Sequence, residues 1–228
     1  MDSIGNVASY PTERTDWPKT ILIGGILVFA GFLLVPLILV YGYLVRVIRD
    51  SLEDSGSPPE FTDWGELLVD GLQGWVIGII YLLIPGVVAA LTVGTAAVTF
   101  VVDQNVAAVG GLLFGLLLSA ILSVVFGYVA VAALVNFARV GSFTAAFDFT
   151  LLRQVLVHRD YAIAWLVALA GFVLAGIVST VPLVGWLLGP FATFYALTVA
   201  GHLWAGGFSA AVDGQGKSEL TSTERPAA

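Results

Sequence analysis

Hydrophobic and polar positions along this chain come in blocks. Residues 20–45, 71–102, 104–138 and 161–212 contain no Asp, Glu, Lys or Arg, and together they make up 145 of 228 residues. Each block exceeds the roughly 20 apolar residues that carry a helix across the hydrocarbon core. That core holds no water to satisfy peptide groups, so only helices and closed barrels cross it. A barrel would show alternating segments of about ten residues, whereas runs such as ILIGGIL (21–27) and LLFGLLL (112–118) do not alternate. The pattern predicts an all-α polytopic membrane bundle.

The blocks divide into five expected spans. The first three are residues 20–45, 72–102 and 106–138, with the polar Asp103-Gln104-Asn105 turn between the second and third. The last block is long enough for two spans, and its VPLVGWLLGP centre places the division between 161–181 and 186–208, because Pro and Gly interrupt helices there. Residues 1–19 are polar and carry no apolar signal core. Residues 213–228 read as a disordered polar tail. Lys and Arg in short loops set orientation. With five spans, Arg46, Arg49, Arg139, Arg153, Arg159, Lys217 and Arg225 fall on one side, and Arg14 and Lys19 on the other. The expectation is an N-terminus outside and a C-terminus in the cytoplasm of a multi-pass cell-membrane protein.

A shift of 85 residues aligns 24–96 with 109–181 and matches 17 of 73 positions, among them Gly42/Gly127, Tyr43/Tyr128, Gly56/Gly141, Asp63/Asp148 and Leu67/Leu152. The match crosses both loops without a gap. It reads as a tandem span–loop–span repeat, of the parallel kind that some carriers show.

Each loop holds an amphipathic piece. Over 63–75, Trp64, Leu67, Leu68, Leu72 and Trp75 share one helical face, opposite Asp63, Glu66 and Asp70. Asp63 is placed to N-cap this helix and Glu66 to close a capping box. In the second loop Ser142 is the expected cap, and Phe143, Ala146, Phe147, Leu151 and Val155 form the apolar face. Such helices lie in the membrane interface, as a collar around the bundle or as a docking platform. Asp63, Trp64, Glu66, Asp70, Asp148, Arg153 and Arg159 are therefore the candidate cytoplasmic interface, with Asp63 or Glu66 expected to pair with Arg153. Asp160 is expected to cap the fourth span.

Small residues recur four apart. Gly86, Ala90 and Gly94 in the second span, and Gly111 and Gly115 in the third, are expected to face neighbouring helices, since small faces let backbones approach in lipid. Packing within the chain is the first reading and a second copy the alternative.

Composition narrows the chemistry. The net charge is −7 with two lysines, Lys19 and Lys217. This acidic, lysine-poor exterior suggests a halophilic archaeal protein and leaves no basic patch for nucleic acid. There is no cysteine, hence no thiol or thiolate-metal chemistry. Proton pumps and ion-coupled carriers place ionisable groups mid-membrane, but His202 is the only titratable imidazole or charged group within a block. No catalytic, cofactor-binding or metal-binding residues are assigned.

The segments YGYLVRVIRD (41–50), PPEFTDWGELLVDG (58–71), NFARVGSFTAAFDF (136–149), HRDYAIAW (158–165) and PLVGWLLGPFATFY (182–195) together resemble the archaeal domain-of-unknown-function family numbered 4013. The resemblance implies an uncharacterised multi-pass membrane protein of halophilic archaea and carries over no catalytic residue. The leading expectation is a non-catalytic scaffold or accessory subunit, in contact with lipid and with a membrane or cytoplasmic protein. A carrier for a small neutral solute or lipid comes second. An interfacial lipid-modifying enzyme using Asp63, Glu66, Asp148 and Arg153 comes third.

Overall fold

The computed structural model describes residues 4–53, 56–103 and 107–223. Its helices are α1 (Ile4–Ser9), α2 (Trp17–Phe29), α3 (Val35–Leu52), α4 (Trp64–Asp103), α5 (Ala107–Val140), α6 (Phe149–Leu156), α7 (Arg159–Ser179) and α8 (Val184–Thr223), with 3-10 turns at Tyr10–Thr12, Ala30–Leu33 and Phe143–Phe147. Among the described residues four stretches are long and apolar enough to cross a membrane, Trp64–Val101, Val109–Val140, Arg159–Ser179 and Val184–Gly214. They correspond to the expected second to fifth spans. Gln104 and Asn105 of the expected polar turn lie outside the described residues.

The expected first span is not one helix. The chain breaks at Leu34, whose φ is 64°, just before Pro36. Proline has no N–H to donate to the residue four before it, and its ring crowds that residue's carbonyl. The two arms then run in opposite directions against α8. Along α2 the chain meets α8 in descending order: the Tyr10 ring before the helix stacks on His202 at 4.1 Å, Gly24 and Gly25 lie under the Phe194 and Phe191 rings, and Phe29 meets Trp186 edge-on at 5.0 Å. Along α3 the order ascends, with Tyr43 at 5.1 Å from Phe194 and Ser51 at 3.0 Å from His202. Residues 20–45 are thus a helical hairpin whose tip meets the start of α8. The stretch Trp17–Leu33 is shorter than a full span. As a result Arg14 and Lys19 lie at the same end as Arg46, Arg49, Arg139, Arg153 and Arg159, and α1 shares that end with the later turns of α8.

The amphipathic stretch expected over 63–75 is not a separate interfacial helix. It forms the first turns of α4, a continuous 40-residue helix about 60 Å long. Pro85 lies inside this helix, and the Ser119 hydroxyl donates to its carbonyl across the α4–α5 seam at 2.9 Å. The second amphipathic piece stands apart from the spans but is not one helix: it divides at Asp148 into the Phe143–Phe147 3-10 turn and α6. At the other terminus α8 continues as helix to Thr223, where a disordered tail from Asp213 was expected. Extending an existing helix avoids the cost of nucleating a new one, so the polar residues 213–223 follow the span. Residues 224–228, including Arg225, lie outside the described residues.

The small-residue expectation divides. Gly115 is buried against Thr92. Gly86, Ala90 and Gly94 are exposed, Gly111 likewise, and a Cβ at any of these glycines would meet open space. The reason is rotational. The seam of α4 toward α5 runs through Ile77, Tyr81, Pro85 and Thr92, and one residue further on is about 100° around the helix. The 86–90–94 stripe therefore points away from the bundle. The close backbone approach lies elsewhere: a Cβ on Gly42 would fall on the Leu67 carbonyl, and one on Gly71 on the Ile38 carbonyl.

Candidate functional site at the arginine-bearing end

At this end α3 and α4 lie antiparallel, which sets the arginines of α3 against the acidic face of α4. Arg46 donates to the Thr62 carbonyl at 2.9 Å and lies 3.6 Å from Glu66. Arg49 reaches Asp70 at 3.1 Å, Glu66 at 3.8 Å and the Ala138 carbonyl of α5 at 3.5 Å. Arg14 pairs with Asp16 at 2.8 Å and with Glu60, tying the N-terminal segment to the 56–63 connection. The Arg14 guanidinium holds the Asp16 carboxyl below its usual range. Arg139 donates to the Asn136 side-chain oxygen at 2.9 Å and lies over the Phe208 ring at 5.7 Å. The Asn136 amide in turn donates to the Ala145 carbonyl at 2.7 Å.

Tyrosines fasten the loops to the spans. The Tyr43 hydroxyl donates to Pro59 O at 3.2 Å, Tyr81 to Ala146 O at 2.7 Å, Tyr128 to Leu156 O at 2.9 Å and Tyr161 to Tyr128 O at 2.8 Å. Tyr43, Tyr81 and Tyr128 place apolar rings in the bundle and spend their polar tips on carbonyls between the spans, while Tyr161 donates to a carbonyl within α5 and ties α7 to it.

The predicted interface residues are not brought to one place. Asp63 sits before α4 at φ 50°, and its carbonyl accepts from Leu67 N at 3.0 Å. Glu66 does not close a capping box, because its carboxylate faces Arg46 and Arg49. Neither acid pairs with Arg153: α4 lies along α3, while Arg153 projects from α6. Trp64, Leu68 and Leu72 are exposed on the outer side of α4, and only Leu67 of that face is buried fully. Asp148 caps α6, accepting from Thr150 N at 3.1 Å and Leu151 N at 3.2 Å. Ser142 makes no cap and instead contacts the Thr144 hydroxyl at 2.9 Å. The cap of α7 is His158, whose ring accepts from Asp160 N at 3.4 Å, in place of the expected Asp160.

One cluster was not foreseen. Tyr10, 2% exposed, lies between His202 and Ser51, 3.3 Å from the Ser51 hydroxyl. Burial pushes the Tyr10 hydroxyl up to about 12. Burial also raises the neighbouring Asp50 carboxyl, and Glu53 adds to the effect. The sequence signal was slight: one aromatic beside Pro11 in a polar segment, and one histidine in a charge-free block.

Long apolar antiparallel helices, knitted at one end by arginines and tyrosines, define a polytopic helical membrane protein. The chain belongs to the DUF4013 family, described as proteins of unknown function, whose pattern matches residues 24–209. No curated protein and no solved structure matches the chain.

Proposed function

We propose that this protein is a non-catalytic membrane scaffold or accessory subunit, and that a partner's membrane helix rests on the outer face of α4. The observation behind this reading is an open groove of about 380 Å³ lined by Tyr41, Trp75, Gly78, Leu82, Gly86 and Ala90, among others. Lipid tails gain little from the small positions Gly78, Gly86 and Ala90 between those larger side chains, whereas a second helix gains close dispersion contact along them. The arginine-bearing end is assigned to the cytoplasm by the positive-inside rule, and the hairpin strengthens the bias by bringing Arg14 and Lys19 to that side.

A photo-crosslinking residue at Ile79 should give one discrete protein adduct in native membranes, and Ala90→Leu, which fills the groove, should reduce it roughly tenfold. A crosslinker at Val173 on α7 should give none. If Ile79 and Val173 yield the same products, the scaffold reading fails. For orientation, single cysteines at Thr15 and Thr144 should label from inside and one at Thr180 from outside. Labelling of Thr15 and Thr144 from opposite sides would contradict the hairpin.

A carrier for a small neutral solute or lipid is the second reading. The α2–α3 break favours it, since discontinuous helices recur at carrier binding sites. Solute or lipid movement in proteoliposomes that is lost on locking the tip with a Phe29→Cys/Trp186→Cys disulfide would move it to first place.

A further inference from the structure

Arg153 and Arg159 differ from the other arginines at this end. Arg14, Arg46 and Arg49 face carboxylates, and Arg139 spends its donors on Asn136. Arg153 and Arg159 are exposed and have no carboxylate partner among the described residues. Arg153 lies on the outward face of α6 with Phe149, Thr150, Gln154 and Val157, and these five line an open groove of about 680 Å³. Arg159 follows two residues after Val157. Phe149 is 66% exposed and Val157 81% exposed, so the cationic centre of the face is bracketed by apolar ends.

The depth of α6 limits what can lie there. Its last carbonyl, Leu156 O, accepts from Tyr128, which lies eleven residues before Arg139, inside the charge-free part of α5. The inner face of α6, Leu152 and Val155, is buried in the bundle core. The end of α6 thus lies beside the charge-free part of α5, deeper than Arg139, and its outward face is level with the apolar part of the bundle. A water-soluble partner would have to displace lipid to reach it.

We infer that the outward face of α6 is a binding site for an anionic phospholipid, its phosphate held by Arg153 and Arg159 with Thr150 and Gln154 as further donors, its acyl chain along Phe149 and Val157. An arginine fork suits phosphate oxygens, and basic side chains at a membrane surface concentrate anionic lipid. The site is independent of the α4 groove and of which leaflet this end faces.

The absence of native cysteine makes a site-specific test direct. A fluorophore is attached at Val157→Cys, and the full chain is reconstituted in phosphatidylcholine vesicles containing a small fraction of spin-labelled phosphatidylglycerol or spin-labelled phosphatidylcholine. Quenching by the phosphatidylglycerol probe should exceed that by the phosphatidylcholine probe, with local enrichment on the order of tenfold. Arg153→Gln/Arg159→Gln should bring the two to parity, and Arg153→Lys/Arg159→Lys should keep most of the preference. Circular dichroism checks that the variants fold. A fluorophore at Leu174→Cys, on the lipid-facing side of α7, should be quenched equally by both probes. Equal quenching at Val157 with the arginines intact would overturn the proposal. So would quenching at Leu174 but none at Val157, which would put α6 outside the bilayer and in reach of a soluble partner. Loss of the preference on adding millimolar inorganic phosphate would show a site for free phosphate and would also overturn it.

Discussion

The two halves related by the 85-residue shift begin from similar patterns and end in different helices. Gly56 and Gly141 correspond, and both adopt left-handed backbone, with φ 68° and 72°. Asp63 and Asp148 correspond, and each immediately precedes a helix, α4 and α6. Leu67 and Leu152 correspond, and both are 1% exposed. Tyr43 and Tyr128 correspond, and both donate to a carbonyl in the following loop. Continuity differs. Pro36 breaks the first half's opening span, while Ile121 at the same place leaves α5 unbroken. Conversely, α4 runs straight through Leu72-Gln73-Gly74, while His158 at the place of Gln73 caps a new helix and separates α6 from α7. Hydrophobic periodicity places both halves in the membrane; one proline and one capping residue decide where each helix stops.

The sharpest way to break this comparison is at Gly42 and its counterpart Gly127. Gly42→Ala pushes a methyl into the Leu67 carbonyl of α4, and the melting point of the detergent-solubilised protein should fall by the equivalent of roughly 1–3 kcal/mol. Gly127 has open space at the same position, so Gly127→Ala should be neutral or stabilising by up to about 1 kcal/mol through helix propensity. Equal effects would mean that the two halves pack alike after all.

Next come the helix starts. Asp148→Ala removes two bonds to the first turn of α6 and should cost about 1 kcal/mol. Asp63 makes no such cap and holds a left-handed conformation, so Asp63→Gly should leave stability unchanged or raise it by about 1 kcal/mol. Thermal shifts of the two variants separate a cap from a strained lead-in.

The tyrosine pair should behave alike. Tyr43→Phe and Tyr128→Phe each leave a loop carbonyl without its donor, at about 1 kcal/mol apiece. Additive losses in the double variant would show that the two loops are fastened independently.

The smallest effect concerns Ser51, which corresponds to Asn136. Asn136 ties α5 to the Phe143–Phe147 turn, while Ser51 meets Tyr10 and His202. The folded-state value of Tyr10 lies above its ordinary one, at about 12. Its contribution is therefore complete below pH 10 and declines as pH rises from 10 to about 12. Melting points of the native protein and Tyr10→Phe should run parallel at lower pH and converge across that window. A constant offset would count against the burial of Tyr10.

What the sequence made legible follows from which forces are local. The four long apolar helices were visible in composition and periodicity, although α4 begins eight residues before the expected span and α8 runs fifteen beyond it, and of the inner face of α6 Val155 was legible while Leu152 was not. The hairpin was not, because Pro36 lies inside an apolar run of the right length for one span, and two short arms and one long span have the same hydropathy. The pairing of Arg46 and Arg49 with Glu66 and Asp70 was missed for a related reason: charges in one loop can pair with each other or across to the next, and only the antiparallel setting of α3 on α4 decides between them. The seam of α4 was misplaced by one position, since Gly86, Ala90 and Gly94 satisfy the same spacing rule as Ile77, Tyr81 and Pro85. The Tyr10 cluster joins residues separated by most of the chain, and no periodicity connects them.

The break at Leu34 also bears on how the chain is put into the membrane. With a single span at 20–45, the segment carrying Glu13, Arg14, Asp16 and Lys19 would have to be translocated through the bilayer before anything behind it could follow. With two antiparallel arms, the pair can enter tip first, led by Phe32, Leu33 and Leu34, while those charges stay in water on the side of synthesis. With the proposed cytoplasmic placement of this end, insertion would proceed in pairs, α2 with α3, α4 with α5, α7 with α8, and every arginine in the described residues would stay where it was made.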